Sequence, residues 1–294
     1  MHYNFIEMTK KVRIPNQSLQ IPKAITRTAK LLQAISPKLA VLFAAKLFTT
    51  PLKHKIPKRE LEMENNSKQS KLLIPKINKE IILYEYGDSQ KKVLLVHGWS
   101  GRGTQLFKIA DELLLNGFST VSFDAPAHGK SASKTTLMPE FIASILEIEK
   151  QSGPFEFAIG HSLGAMSILN ANKQGLEIKK AVIIGSGDVI QDIMDDFVFK
   201  LQLKPEIGIL MKNHFEKKYG LEMDSYSANV AAQSVTIPIL LIHDQNDNEI
   251  PVKVAHTIHR NLMKGQIFIT EKLGHRKILG DKNVIERIID FISN

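Results

Sequence analysis

A serine between two glycines, in Gly160-His161-Ser162-Leu163-Gly164, is the strongest chemical signal in the chain. It follows the apolar run FEFAI (155–159) and opens a helical stretch beginning LGAMSILN. A strand, a sharp turn and a helix in that order present a serine hydroxyl at the edge of a sheet. The helix N-terminus then supplies free N–H groups and a positive dipole where negative charge would develop. The flanking glycines suit a turn too tight for side chains. This context separates Ser162 from an ordinary serine in a strand–helix turn.

A nucleophilic serine needs a base, and the base needs a carboxylate to orient it. For a serine on such an elbow the chain order is serine, acid, histidine. Of ten histidines, His214, His243, His256, His259 and His275 follow Ser162. His256 and His259 fall within a predicted helix, where a solvated face is a better reading than a metal site. His243 ends a strand ahead of any suitable acid. His275, in Leu273-Gly274-His275-Arg276 just past the last predicted strand, is the candidate base. His161 adjoins the serine and is read as a packing or hydrogen-bonding residue. The acid is sought in the loop after the strand ILLIH, which runs Asp244-Gln245-Asn246-Asp247-Asn248-Glu249-Ile250-Pro251. Asp247, at the loop apex, is the first choice, Asp244 the second and Asp188 the third. Two N–H groups that could stabilise an oxyanion belong to Leu163, next to the serine, and to Trp99 in His97-Gly98-Trp99-Ser100-Gly101-Arg102-Gly103-Thr104. That loop has the glycine spacing of a phosphate loop, but Thr104 stands where such a loop needs lysine. Nor does Gly101-Arg102-Gly103 make a dinucleotide fingerprint.

These residues sit on a regular alternation of short apolar runs and helical stretches from residue 71 onward. Strands are expected at 93–96, 119–123, 155–159, 181–185, 239–243 and 266–270. Helices are expected around 104–116, 137–150, 163–173, 251–262 and 282–292. Such alternation predicts a mostly parallel sheet covered on both faces. KLLIPKI and EIILYEY, parted by Asn78-Lys79, precede it as a hairpin or two sequential strands. About fifty residues separate the strand ending near Gly185 from the one starting near Ile237, far more than a crossover needs. The amphipathic pieces in that insert, about 188–235, predict a small helical cap over the carboxyl ends of the strands. Phe197, Leu201, Leu210 and Phe215 are its expected pocket-lining residues.

Residues 1–70 form a separate unit in this reading, with 71–294 as the main domain. Residues 23–50 predict helices interrupted at Pro37, and 53–70 read as a polar linker. The net charge of +9 lies wholly in residues 1–70, which hold thirteen Lys/Arg against four Asp/Glu, whereas 71–294 are balanced. A neutral body argues against nucleic-acid binding. Residues 1–50 suit either an anionic membrane surface or packing of their apolar face onto the body, and the amphipathic pattern favours packing. With no cysteine, the chain has no disulfide, thiolate nucleophile or cysteine-based metal site. No export signal is visible at the N-terminus and no spanning segment is found. The expected location is cytoplasmic, with peripheral contact at the inner membrane as the role open to the basic segment. No cofactor or metal is expected, and the expected partner is a small ester or acyl substrate.

Taken together, His97-Gly98-Trp99, Phe123-Asp124-Ala125-Pro126-Ala127-His128-Gly129-Lys130-Ser131, Gly160–Gly164, Asp247…Pro251 and Gly274-His275 occur in the order seen across the α/β-hydrolase superfamily. The chain resembles its bacterial lipase- or esterase-like branch over roughly residues 72–294, with a helical N-terminal extension. The resemblance implies an α/β-hydrolase fold, a triad of Ser162, Asp247 and His275, and an oxyanion hole at Trp99 and Leu163. It also implies cleavage of a carboxylic ester or thioester through an acyl-enzyme. Amidases and acyltransferases use the same machinery, and a slow-turnover binding or signalling protein on this fold is the alternative. Two positions depart from the family pattern. Ala127 replaces the usual glycine before His128, and Asp244 replaces the usual glycine after the histidine of the seventh strand.

Overall fold

A computed structural model of the chain describes residues 21–294; the first twenty residues of the basic segment lie outside it. Eight strands make one sheet: β1 (Lys68–Ile74), β2 (Lys79–Tyr86), β3 (Lys92–Val96), β4 (Ser119–Asp124), β5 (Phe157–His161), β6 (Lys180–Ile184), β7 (Ile239–Asp244) and β8 (Gly265–Thr270). Their order is β1-β2-β4-β3-β5-β6-β7-β8. The strands from β4 to β8 run parallel, while β1 and β2 pair as an antiparallel hairpin and β2 pairs antiparallel with β4. The inner parallel strands β3, β5, β6 and β7 are short, mostly apolar runs buried on both faces, as a sheet with helices on both sides requires, whereas the edge strand β8 is only half-buried.

Among the described residues twelve helices surround it: α1 (Lys23–Ile35), α2 (Pro37–Phe48), α3 (Leu61–Asn66), α4 (Phe107–Leu115), α5 (Met138–Ser152), α6 (Leu163–Lys173), α7 (Ile190–Lys200), α8 (Glu206–Tyr219), α9 (Ala228–Ala232), α10 (Lys253–Asn261), α11 (Gly274–Lys277) and α12 (Lys282–Ser293). Their ends follow local chemistry. Asp281 caps α12 by accepting from Val284 N at 3.1 Å, and α8 stops at Gly220, whose φ is +65°. Helices α7, α8 and α9 fill the long connection between β6 and β7. Among the described residues no helix is long and apolar enough to cross a membrane.

Two cores lie on opposite faces of the sheet. One joins α5, α6, α10 and the cap helices with Ala29, Ala40, Val41, Ala44 and Ala45 of the N-terminal pair. The other joins α4 and α12 and takes Met63 from α3. Residues 53–70, expected to be a linker, are structured instead. They hold a 3-10 turn (Lys58–Glu60), then α3, and β1 starts at Lys68. KLLIPKI is expected as the first strand of a hairpin or sequential pair, and the start of that strand at Lys68 is missed because Lys68, Gln69 and Ser70 are polar and lie on an edge strand whose outer positions are exposed. β1 ends at Ile74, earlier than expected, because Pro75 turns the chain and has no N–H to pair.

The cap corrects the expected pocket list. Leu201 and Phe215 are fully buried in the core between cap and body, and Leu210 is 41% exposed on the outer face of α8. Only Phe197 of the four borders the open cleft beside Ser162. The Phe48 ring at the end of α2 packs edge-on to Phe197 at 5.3 Å and against Phe215 at 6.0 Å. Phe215→Ala is therefore expected to cost about 3–5 kcal/mol, as a large void opens behind the cap. Leu210→Ala should stay within about 0.5 kcal/mol. Chemical denaturation of the two variants checks this ranking, and equal losses would contradict the placement.

Candidate active site

The turn from β5 into α6 puts Ser162 at φ +53°, ψ −117°, a conformation that L-residues rarely hold. Close packing enforces it. A Cβ on Gly164 would overlap the Val96 carbonyl oxygen of β3, and one on Gly160 would lie 2.6 Å from Ile168 Cδ1 of α6. Ser162 N donates to Ile184 O of β6 at 2.9 Å, so the backbone is anchored while the side chain faces the cleft. Among the described residues Ser162 Oγ makes no hydrogen bond within the protein.

His275 opens α11 beyond the end of β8, and it borders the same cleft. Its Nδ1 donates to Asp247 Oδ2 at 2.7 Å, which leaves Nε2 with a free lone pair. Asp247 is buried in the loop after β7, and its Oδ1 accepts from Glu249 N at 2.8 Å and Ile250 N at 3.0 Å. Burial alone would push this carboxyl up. The His275 hydrogen bond and charge and the two backbone donors outweigh it and hold the pKa below its ordinary value. Asp247 therefore stays ionised. Asp244 is engaged differently. Its Oδ2 accepts from Thr270 Oγ1 at 2.8 Å and Leu273 N at 3.1 Å, and its Oδ1 from Asn246 N at 2.9 Å. It fixes the loop that carries His275 without touching the ring. Asp188 is also engaged elsewhere, accepting from Asn229 N at 2.6 Å.

Four backbone donors of the loop after β3 are committed. Gly98 N bonds Gln105 Oε1, Ser100 N bonds His128 Nε2, Gly101 N bonds Gly98 O and Gly103 N bonds Asp124 Oδ1. Among the described residues the Trp99 N–H, between two engaged neighbours, donates to nothing, and neither does Leu163 N–H at the start of α6. These are the two donors expected from sequence, and Trp99, Ser162 and Leu163 all border one cleft of about 1540 Å³. No group of three or more His, Asp or Glu among the described residues is arranged to hold a metal ion.

With this geometry in view, comparison with known proteins is informative. The model of the "Alpha/beta hydrolase family" matches residues 93–275, well over half of the chain. The chain belongs to this family. Among solved structures, the esterase PF2001 of Pyrococcus furiosus superposes with a TM-score of 0.65 at 18% identity, covering 83% of this chain and 97% of that one. A protein named as a lipase from Acinetobacter baumannii AYE gives 0.63 at 19% identity, covering 82% and 97%. The esterase EaEST of Exiguobacterium antarcticum gives 0.62 at 16% identity, covering 76% and 99%. At these identities the likeness is one of fold. A search of curated protein sequences gave no significant match.

Several residues that organise this alpha/beta hydrolase site carried little signal of their own. Asp124, wholly buried at the end of β4, accepts from Gly103 N and Lys130 N, each at 2.7 Å, and from Tyr84 Oη at 3.0 Å. It ties the loops after β3 and β4 together. Ala127 takes up φ +66° where the family pattern has glycine, so the departure leaves the backbone path intact at some cost in strain. Glu60 reaches in from the N-terminal extension, accepting from Thr104 Oγ1 at 2.8 Å and lying 3.2 Å from Arg102 Nε. His161 Nε2 donates to the His275 carbonyl at 2.8 Å, so the residue beside the serine braces the histidine's backbone.

Two buried histidines hold the Trp99 loop in a defined protonation state. His97 Nε2 accepts from Ala125 N at 3.1 Å and His128 Nε2 from Ser100 N at 3.0 Å, so each must be neutral with its proton on Nδ1. Burial lowers the pKa of His97 to about 4 and that of His128 to about 2, with the neighbouring imidazole adding to the second shift. In the unfolded chain a histidine takes up its proton near pH 6.5. Below that value the unfolded state binds a proton that the folded state does not, so this stabilisation is lost as pH falls. His128→Gln removes the linkage. The loss of stability it causes should be smaller at pH 5 than at pH 7, by up to about 2 kcal/mol. Denaturation at the two pH values checks it, and a pH-independent difference would rule out a neutral buried His128.

Proposed function

We propose that this alpha/beta hydrolase is a serine hydrolase that cleaves carboxylic esters or thioesters through an acyl-enzyme. The observation that carries the reading is the 2.7 Å Asp247–His275 hydrogen bond in a cleft shared with a strained, unengaged Ser162. His275 Nε2 takes the proton from Ser162 Oγ as that oxygen bonds to the substrate's carbonyl carbon. Asp247 keeps the imidazole proton on Nδ1 and stabilises the imidazolium that forms. The carbonyl oxygen becomes an oxyanion and accepts from Trp99 N–H and Leu163 N–H. Collapse of this intermediate breaks the ester C–O or thioester C–S bond, and His275 returns the proton to the departing alcohol or thiol. Water, deprotonated by His275, then attacks the acyl-serine; the bond between the acyl carbon and Ser162 Oγ breaks, His275 returns the proton to Oγ, and the acid is released. Phe48, Phe197, Ile193, Met166 and Tyr226 border the cleft and form the apolar side on which an acyl chain would lie.

The second reading is a small-molecule binding protein with slow turnover, and the absence of a Ser162 Oγ hydrogen bond to His275 is what favours it. Reaction with a fluorophosphonate probe separates the two. Stoichiometric labelling at Ser162 supports the hydrolase, and an inert serine supports the binder.

Ser162→Ala should lower hydrolysis of p-nitrophenyl esters by about 10⁴- to 10⁶-fold with the fold intact. Near-wild-type turnover in that variant would end the serine hydrolase reading.

The two loop carboxylates should differ sharply. Asp247→Asn should lower kcat by about 10⁴-fold with little change in KM, because Asn no longer orients the neutral imidazole correctly. Asp244→Asn, which only loosens the His275 loop, should cost far less. The opposite ranking would make Asp244 the orienting acid.

A further inference from the structure

The α1–α2 pair packs onto the body through buried alanines, Val41 and the half-buried Ile25, Phe43, Leu47 and Phe48, and leaves Leu31, Ile35, Leu39 and Leu42 facing outward. Ala29, Ala40, Val41, Ala44 and Ala45 are buried in the core. The facing-out positions are Arg27, Leu31 and Ile35 along α1, at four-residue spacing, and Lys38, Leu39, Leu42 and Lys46 along α2. Leu31 is 63% exposed and Ile35 66%, values that a home-packed amphipathic helix would not leave on its leucines and isoleucines. The cap extends this surface. Lys204 N in the turn between α7 and α8 donates to Gln33 Oε1 of α1 at 2.8 Å, and exposed Phe199 and Ile209 flank that turn.

Charge decides the occupant. Residues 21–50 contain five cations, Lys23, Arg27, Lys30, Lys38 and Lys46, and no carboxylate. All five are exposed, and among the described residues none pairs with an acid. We propose that this face docks on an anionic lipid bilayer. Helices of thirteen and twelve residues are too short to span a bilayer but suit its interface. There the leucine and isoleucine side chains enter the acyl boundary while lysine and arginine meet anionic headgroups. Exposed apolar side chains interspersed with these unpaired cations suit the boundary between acyl chains and anionic headgroups. The end of the same helix, Leu47 and Phe48, borders the cleft, so docking would bring the cleft wall to the interface. The proposal does not depend on the hydrolase reading, since lipid binding is measured without turnover.

The test is co-sedimentation of the full chain with phosphatidylcholine vesicles and with vesicles in which a third of the lipid is phosphatidylglycerol. Binding is expected to the anionic vesicles alone, and to weaken as salt is raised. The combined variant Arg27→Gln, Lys30→Gln, Lys38→Gln should bind about a hundredfold more weakly, from about fivefold for each cation removed. Leu31→Gln, Ile35→Gln, Leu42→Gln together should also weaken binding. Both variants should keep the parent's thermal unfolding, because every replaced side chain is exposed. No association with anionic vesicles at low salt would overturn the proposal, as would equal binding to neutral vesicles. Weaker binding in the charge variant with parent-like binding in the apolar one would overturn the insertion of Leu31, Ile35 and Leu42 into the acyl boundary.

Discussion

The contact on which the site depends is the approach of α6 to β3, where Gly164 lies so close to the Val96 carbonyl that no side chain fits between them. That approach compresses the turn between β5 and α6 and forces Ser162 to φ +53°. A residue held in such a conformation relaxes unless its surroundings over-determine it, at a cost of about 1–3 kcal/mol. Here the strand pairing to β6, the helix behind and the loop after β3 in front all fix its position. Gly98 belongs to the same contact, since a Cβ there would lie 3.0 Å from Ser162 Cβ. The elbow and the Trp99 loop are therefore packed as one unit.

The Trp99 loop has little apolar surface to hold it, so polar groups hold it instead. Asp124, His97, His128 and Glu60 each accept hydrogen bonds from this loop or its neighbour in a buried setting. A buried acceptor without its donor costs about 1–3 kcal/mol, so each bond resists loss more strongly than its net contribution to stability suggests. Burial raises the Asp124 and Glu60 pKa values and lowers those of His97 and His128. The network thus exchanges some electrostatic stability for one defined loop geometry. Among the described residues Trp99 N–H, between the engaged Gly98 and Ser100, is left without an internal partner.

Legibility in the sequence followed from how local each constraint is. The central strands were readable because burial on both faces leaves no polar position to blur them. Ser162 was readable because the elbow needs glycines at fixed spacing. Histidine and acid needed only chain order once the strands were placed. Asp247 over Asp244 was less accessible, since both occupy turn positions and only the direction of each carboxylate tells them apart. The cap failed for a related reason. Apolar spacing identifies a buried face but not what it is buried against, so Leu201 and Phe215 read like pocket residues although they fill the core. Only the first three residues of β1 were obscured, because an edge strand can begin on the polar Lys68, Gln69 and Ser70. Glu60 had no signal, as its partners lie more than forty positions away.

The N-terminal extension shows how far the site reaches beyond the segment that names the family. Thr49 O accepts from Thr136 N, Leu52 N donates to Ser100 Oγ, Lys53 Nζ donates to Ser131 O, and Glu60 meets Thr104 and Arg102. These four attachments fall on loops after β3 and β4 and on the approach to α5. A few residues earlier Phe48 closes against Phe197 and Phe215 of the cap. One continuous stretch of about a dozen residues therefore contacts the inserted helices, borders the cleft and braces the Trp99 loop. Its helices have no core of their own and bury their alanines in that of the body, so their folding has to accompany the assembly of the cap. Displacing α2 would remove the Phe48 contact and loosen the attachments downstream together. The cleft wall and the Trp99 loop are in this way coupled through the backbone of a segment that contributes neither Ser162, Asp247 nor His275.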